Sequence, residues 1–242
     1  ARAPLLSMNP GVYQLNFRGL TLREAWRFSG EPFKFLLALV LKAAAFKGSR
    51  QWLPAHECEV PCTEDQLSPE AALHLLPAVA DARALGYDEG RFHQMARILD
   101  PNIKQGFGYA TLHRDRQRFL FIGFIVNGTA GRIKPVLACS GALVPTQAVT
   151  LEFLNHRNHL DNAGVTRKIR VRGKTLEAID AAMQQTLAAS SVTFRTFQRL
   201  EDVQRHLRDV EVQAFDSRIK RGLLRYVGRG EVPPLPSSIG EP

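Results

Sequence analysis

The most hydrophobic stretch of the chain lies over residues 33–46, with the sequence FKFLLALVLKAAAF. Leu and Ala dominate the stretch and both have high helix propensity, so it predicts a helix. Glu31-Pro32 suits the start of this helix and Gly48-Ser49 suits its end. The stretch is shorter than the roughly twenty residues that a bilayer span needs. The pattern therefore predicts a helix that is buried, lies in a subunit contact, or rests in a membrane interface.

Two lysines and a nearby tryptophan bear on that choice. Lys34 and Lys42 interrupt the stretch, and Trp52 follows it. A lysine can extend its ammonium group to water from an apolar surface, and tryptophan prefers the level of the lipid headgroups. The combination is typical of a helix that rests on anionic lipid. The candidate contact residues for a membrane or a protein partner are Phe33, Lys34, Phe35, Leu37, Lys42, Phe46 and Trp52.

Helical patterns also flank the middle of the chain. Ser68-Pro69-Glu70 combines a capping residue, a first-turn proline and an acid at the positive helix end, and Gly86 suits the end of that helix. Pro77 should kink or split it. Three further helices are predicted over 89–99, 175–189 and 198–227.

The hydrophobic period changes between these helices. Residues 119–126, FLFIGFIV, are apolar throughout, as expected of a central strand that is covered on both faces. A tight turn is predicted around Asp115, and Asn127-Gly128 is a strong hairpin signal. The predicted strands cover 107–114, 118–126, 132–139, 146–154 and 165–172.

The order of these elements predicts an α+β fold with N-terminal helices, a central antiparallel sheet of about five strands, and C-terminal helices. We expect an N-terminal segment over 1–66 that contains the apolar helix, and a single α+β domain over 67–230. The Pro-rich residues 231–242 predict an extended tail.

Composition narrows the class of protein. With 45% hydrophobic and 23% charged residues among 242, the chain is neither mainly disordered, nor collagen-like, nor a multi-span membrane protein. Its net charge of +9 indicates an anionic partner. Most of the excess lies over residues 106–172, which contain ten Lys or Arg and three Asp or Glu.

Two basic groups stand out in this part of the chain. Lys168, Arg170 and Arg172 alternate with apolar residues and should share one face of a strand, while three arginines cluster at the turn around Asp115. Such a face suits phosphates of nucleic acid or of lipid headgroups, or is a solvated outer face. The candidate anion-binding residues are Arg114, Arg116, Arg118, Lys168, Arg170 and Arg172.

Candidate catalytic chemistry is sparse. His156, His159 and Asp161 are close in sequence and suit a metal or proton transfer if they converge, and Cys139 is a candidate nucleophile. Neither candidate has the surrounding motif of a familiar enzyme, and a polar loop and a buried strand cysteine are the alternatives. No Walker or dinucleotide-binding motif is present.

A second candidate metal set is His56, Cys58 and Cys62. Its spacing is not the usual pair separated by two residues. A local disulfide between Cys58 and Cys62 is one alternative, and unpaired loop cysteines, which the spacing favours, are the other. We expect no cofactor.

These patterns favour a non-enzymatic binding or accessory protein that docks on a larger assembly or an anionic membrane surface, in the cytoplasm or at the membrane periphery. One alternative is a nucleic-acid-binding protein that uses the basic sheet face, with Phe107 and Tyr109 stacking on bases. Aromatics are not interleaved with the basic strand, which weighs against it. The other alternative is a hydrolase or metal enzyme built on His156, His159 and Asp161.

Overall fold

The computed structural model describes residues 11–29, 31–53, 59–95, 103–129, 132–155, 164–173 and 175–228. Within these ranges the chain is an α+β protein with two sheets. The strands are β1 (Gly11–Asn16), β2 (Lys47–Leu53), β3 (Glu59–Cys62), β4 (Tyr87–Met95), β5 (Ile103–His113), β6 (Phe119–Thr129), β7 (Arg132–Leu143), β8 (Thr150–Leu154), β9 (Thr166–Arg170) and β10 (Leu224–Gly228). The helices are α1 (Leu22–Ser29), α2 (Pro32–Ala43), α3 (Pro69–Ala84), α4 (Leu176–Ala189) and α5 (Leu200–Lys220).

The larger sheet has seven strands in the order β3-β4-β5-β6-β7-β8-β9. Neighbouring strands are antiparallel except for the parallel pair β8–β9. Helices α3 and α4 cover one face and bury the main hydrophobic core, which includes Leu75, Phe124 and Ile179. Both helices begin at side-chain caps, because the hydroxyls of Ser68 and Thr175 accept hydrogen bonds from backbone N–H groups three residues later.

The smaller sheet joins distant parts of the sequence. Its order is β10-β1-β2, so the first described strand pairs with the last. Tyr13, Leu15 and Leu224 belong to its own hydrophobic cluster, and Phe215 of α5 completes that cluster. The chain therefore returns to its beginning through α5.

Helix α5 lies on the face of the larger sheet opposite α3 and α4. Leu200 and Val203 near its start pack with Ala110, Leu112 and Phe119 of that outer face. Its other end reaches the cluster of the smaller sheet through Phe215. One helix thus connects the two sheets.

Several predicted elements were wrong. The sheet has seven strands rather than about five, and residues 89–99, predicted as a helix, overlap β4. The predicted helix over 198–227 ends at Lys220, and β10 follows because its residues pair with β1. Strands β6 and β7 stay paired as far as Thr129 and Arg132, beyond the predicted Asn127-Gly128 turn.

The turn around Asp115 and the helices over α3 and α4 are confirmed. Pro77 lies inside α3, which continues through it as one helix. The division into 1–66 and 67–230 stays a prediction, and residues 231–242 lie outside the described residues.

Candidate functional site

Helix α2 presents apolar side chains to solvent. Phe33, Leu36, Leu37 and Val40 recur at the spacing of one helical face, and we call these four residues the apolar stripe. Phe33 is 80% exposed and Val40 is 62% exposed. A surface helix normally turns its apolar face to the core, so an outward apolar stripe marks an interaction surface.

The opposite face of α2 holds the helix in this orientation. Ala38 is buried, and Leu41 packs against the cluster of the smaller sheet. The Lys42 ammonium donates hydrogen bonds to the carbonyl oxygens of Arg18 and Leu20, at 2.6 and 2.5 Å. These contacts fix the inner face, so the apolar stripe is the face left outward.

Helix α1 extends the exposed apolar surface and is itself anchored. Thr21 and Glu24 form reciprocal hydrogen bonds at its start, with the Thr21 N–H donating to Glu24 Oε2 at 2.8 Å. Leu22 and Trp26 lie one turn apart and are exposed, and the Trp26 ring makes an edge contact with Phe35 of α2 at 5.1 Å. Exposed apolar side chains therefore occur on both helices.

The end of α2 is a tight reversal that also presents an aromatic ring. The Phe46 N–H donates to Leu41 O at 2.9 Å and the Ala45 N–H donates to Lys42 O at 3.1 Å. This is a Schellman motif, in which Ala45 takes the left-handed position at φ 49°. The chain then returns into β2 with the Phe46 ring half exposed against Phe17.

The charge around the apolar stripe is positive. Residues 11–53 contain seven Lys or Arg and only two glutamates. Both glutamates are ion-paired, Glu24 with Arg221 and Glu31 with Lys34. Arg23, Lys47 and Arg50 are exposed. An exposed apolar stripe in a region of net positive charge is complementary to an anionic interface.

Comparisons with protein-family models, with curated proteins and with solved structures find no match. The function therefore has to be inferred from the geometry of the described residues. Among these residues, none of the helices is long and apolar enough to cross a membrane.

The structure separates the residues predicted for membrane or partner contact. Phe33, Lys34, Leu37 and Phe46 are exposed, whereas Phe35 and Lys42 face inward. The side chain of Trp52 lies outside the described part of the chain. Sequence reasoning missed four exposed apolar residues of helices α1 and α2. The helical spacing of these residues within each helix was the signal that could have identified them. They are Leu22, Trp26, Leu36 and Val40.

The three arginines at the Asp115 turn do not form one basic cluster. Arg118 is buried, and its guanidinium donates to Asp180 Oδ1 at 2.5 Å and to Asp115 Oδ2 at 2.7 Å. Burial opposes ionisation of Asp115, but hydrogen bonds from the Gln117 N–H and from Arg118 lower the pKa of its carboxyl. Arg116 pairs with Glu89, and Arg114 is exposed. Arg118 therefore stabilises the fold internally and does not face an external anion.

The basic strand lies at the edge of the larger sheet. Lys168 lies on the outer face below α5, whereas Ile169 and Val171 pack against the main core. Arg170 and Arg172 are exposed, and Arg172 follows the last residue of β9. Phe107 and Tyr109 are buried in the main core on the other face, so these two rings cannot stack on bases beside Lys168.

The candidate chemical residues do not assemble a site within the described part of the chain. Cys139 is buried in the main core, and burial raises the pKa of its thiol to about 11, which makes it a weak nucleophile at neutral pH. Cys62 packs at the edge of the same core. Across the described ranges no group of His, Cys, Asp and Glu is arranged to hold a metal. The remaining candidates lie outside the described residues: His56, Cys58, His156, His159 and Asp161.

Proposed function

We propose that the chain is a non-enzymatic peripheral protein that docks on an anionic membrane surface through α1 and α2. The observation that carries this proposal is the outward apolar stripe of α2, Phe33, Leu36, Leu37 and Val40. A helix of 12 residues is about 18 Å long, which suits a helix lying in the interface rather than crossing the bilayer.

Charge favours a membrane over an uncharged apolar partner. Arg23, Lys47 and Arg50 are exposed cations of residues 11–53, the region that bears the stripe, and the two acidic residues of the same region are paired. Each Lys or Arg near an anionic bilayer contributes about 1 kcal/mol of attraction. Burial of apolar side chains contributes about 1.5–3 kcal/mol for each one fully buried. The two contributions together give stable but reversible attachment.

Flotation with liposomes tests the proposal. The purified chain should float with vesicles that contain phosphatidylserine and should float less with phosphatidylcholine alone. Because the apolar contribution is insensitive to salt, part of the binding should persist at high ionic strength. Leu36→Glu should weaken binding by about tenfold or more, since it removes a leucine that the proposal buries in the bilayer and adds a charge that the anionic lipid repels.

Leu73→Glu is the matched control, because Leu73 is 71% exposed but lies on α3, outside α1 and α2. This variant should float like the original chain. Failure of the original chain to float at either salt concentration would overturn the proposal. A concentration-dependent dimer that Leu36→Glu dissolves would overturn it in favour of a second copy covering the stripe.

A further inference from the structure

A cavity lies between α5 and the outer face of the larger sheet. Leu200 and Val203 hold the start of α5 on that face, and Phe215 anchors its other end in the cluster of the smaller sheet. Between these two anchors the helix and the sheet enclose a groove of about 360 Å³. This volume lies within the range of small-molecule pockets, roughly 300–1,000 Å³.

Part of the groove lining is apolar and aromatic. Phe119, Phe121 and Ala142 form its floor on the sheet, and Leu207 and Phe215 face them from α5. Such a surface suits the apolar part of a ligand.

Two glycines leave space for the Phe121 ring, which forms part of this floor. A β-carbon at Gly108 would lie 2.9 Å from the Phe121 ring, and one at Gly123 would lie 3.2 Å from it. The Phe121 ring thus lies close above bare backbone, where it stacks with His93 at 5.5 Å. Burial, with smaller contributions from Arg208 and Arg91, lowers the pKa of His93 to about 4, so the imidazole is neutral at neutral pH.

The lining of the groove carries both signs of charge. Glu152 and Lys168 are register partners on β8 and β9, and Glu211 and Arg218 face the groove from α5. Glu59 and Arg208 add one further charge of each sign. Because the carboxylates and the cations are equal in number, the lining favours neither a simple anion nor a simple cation.

A buried hydroxyl group also lines the groove. Thr166 lines the groove, and its Oγ1 atom is buried without a hydrogen-bond partner among the described residues. Buried polar atoms are normally paired, so a polar group of a ligand would satisfy it.

We propose that this groove binds a zwitterionic amphiphile. Its apolar part lies on Phe119 and Phe121, and its headgroup of two opposite charges lies among the side chains of Glu152, Lys168, Glu211 and Arg218. The site is independent of docking by the apolar stripe, because the stripe lies on α2 and contributes nothing to the groove lining.

Four decyl amphiphiles that differ only in headgroup test the proposal. The probes are decylphosphocholine, decyl phosphate, decyltrimethylammonium and decyl maltoside, each titrated below its micelle concentration by calorimetry. Decylphosphocholine should bind at one site, about fivefold or more tighter than the other three. Equal affinity for all four probes would overturn the proposal.

Two groove variants locate the binding. Ser140→Trp places a large ring in the groove and should weaken decylphosphocholine binding by about tenfold or more. Ser191→Trp, at an exposed position after α4, is its matched control and should not change the affinity. Lys168→Met removes one cation, so it should shift the preference toward decyltrimethylammonium. Unchanged affinity in both Ser140→Trp and Lys168→Met would overturn the proposal.

Amide NMR of the original chain locates the binding site without a variant, so it provides the test if Ser140→Trp does not fold. Decylphosphocholine should shift the amide signals of Phe121, Ser140 and Lys168, whether or not Leu36→Glu is present. If only amide signals of α1 and α2 shifted, the proposal that the groove binds the amphiphile would be overturned, and the proposal of membrane docking would be unaffected. If amide signals of the groove shifted but the chain did not float with liposomes, the groove proposal would be supported and the docking proposal would be overturned.

Discussion

The carboxylate of Glu24, which is fully buried, accepts two hydrogen bonds from the guanidinium of Arg221, 197 residues later in the chain. The N···O distances are 3.2 and 3.1 Å, and the same carboxylate accepts the Thr21 N–H at the start of α1. Arg221 follows directly on α5. This pair therefore ties the helical hairpin that bears the apolar stripe to the helix that connects the two sheets.

Loss of charge at Glu24 should destabilise the chain. Glu24→Gln keeps the size of the side chain but leaves the Arg221 cation without its counter-charge, so we expect the free energy of unfolding to fall by about 1–3 kcal/mol. Urea unfolding measures the change.

Glu201→Gln is the control for that experiment. Glu201 pairs with Arg91 at 2.6 Å, but both side chains are more than 40% exposed, and such a pair contributes at most about 1 kcal/mol. Equal effects of Glu24→Gln and Glu201→Gln would show that the buried pair does not anchor α1.

Ala45 should be replaceable by glycine with a gain in stability. Its φ of 49° lies in the left-handed region, which costs a residue with a β-carbon about 1–2 kcal/mol. Part of the gain is lost because glycine has more freedom in the unfolded chain, so Ala45→Gly should stabilise by about 0.5–1 kcal/mol. Thermal unfolding checks the sign.

Ala43→Gly, two residues earlier, is the control for that experiment and should change the stability in the opposite direction. Ala43 is the last residue of α2, where glycine should destabilise by up to about 1 kcal/mol. If both glycine variants destabilised the chain, the left-handed turn at Ala45 would not be the conformation adopted in solution.

His93 should make the stability depend on pH in the acidic range. Its pKa is about 4 in the fold, because burial disfavours the imidazolium, and 6.5 is the ordinary value. Between these values the unfolded chain binds a proton that the folded chain does not, so stability falls as the pH is lowered from about 6.5 toward about 4. The loss attributable to this group is about 3 kcal/mol.

Unfolding midpoints at a series of pH values measure this dependence. His93→Phe keeps a flat ring beside Phe121 and should reduce the slope over that interval. Burial also lowers the pKa of His206, so this second histidine contributes a slope of the same sign that the variant leaves in place. His74→Phe, at an exposed histidine of α3, should leave the slope in place. A slope that is identical in His93→Phe and in the original chain would contradict the assignment to His93.

Local signals in the sequence predicted the helices well. Ser68-Pro69 and Thr175 mark the starts of α3 and α4, and Pro32 marks the start of α2. Caps and prolines act within a few residues, so they can be recognised without the rest of the fold.

Strands that depend on distant partners could not be predicted in the same way. The residues of β10 continue the helical stripe of α5 in sequence, and they form a strand because β1 lies beside them. Tyr87–Met95 contains a glycine and several charged residues, and only pairing with β3 and β5 makes it β4. Context of this kind overrides local propensity.

The same limit applies to the candidate surfaces. Residues 33–46 are apolar nearly all round, so the pattern alone cannot show which side of α2 stays uncovered. The inner face is determined by Lys42, which donates to the carbonyl oxygens of Arg18 and Leu20, and by Leu41, which packs against the cluster of the smaller sheet. The opposite face of α2 is left uncovered. The groove draws its lining from all seven strands of the larger sheet and from α5, and its one local signal was the alternation of Lys168 and Arg170 with apolar residues.

The emission of Trp26 tests membrane docking most directly. The chain has two tryptophans, and Trp52→Phe leaves Trp26, which is 48% exposed on α1 and contacts Phe35 of α2, as the single reporter. With phosphatidylserine vesicles we expect its emission to shift to shorter wavelength and to be quenched by brominated acyl chains. Leu36→Glu in the same background should abolish both changes. An emission spectrum that vesicles leave unchanged, with no quenching by brominated lipid, would contradict insertion of the α1–α2 surface.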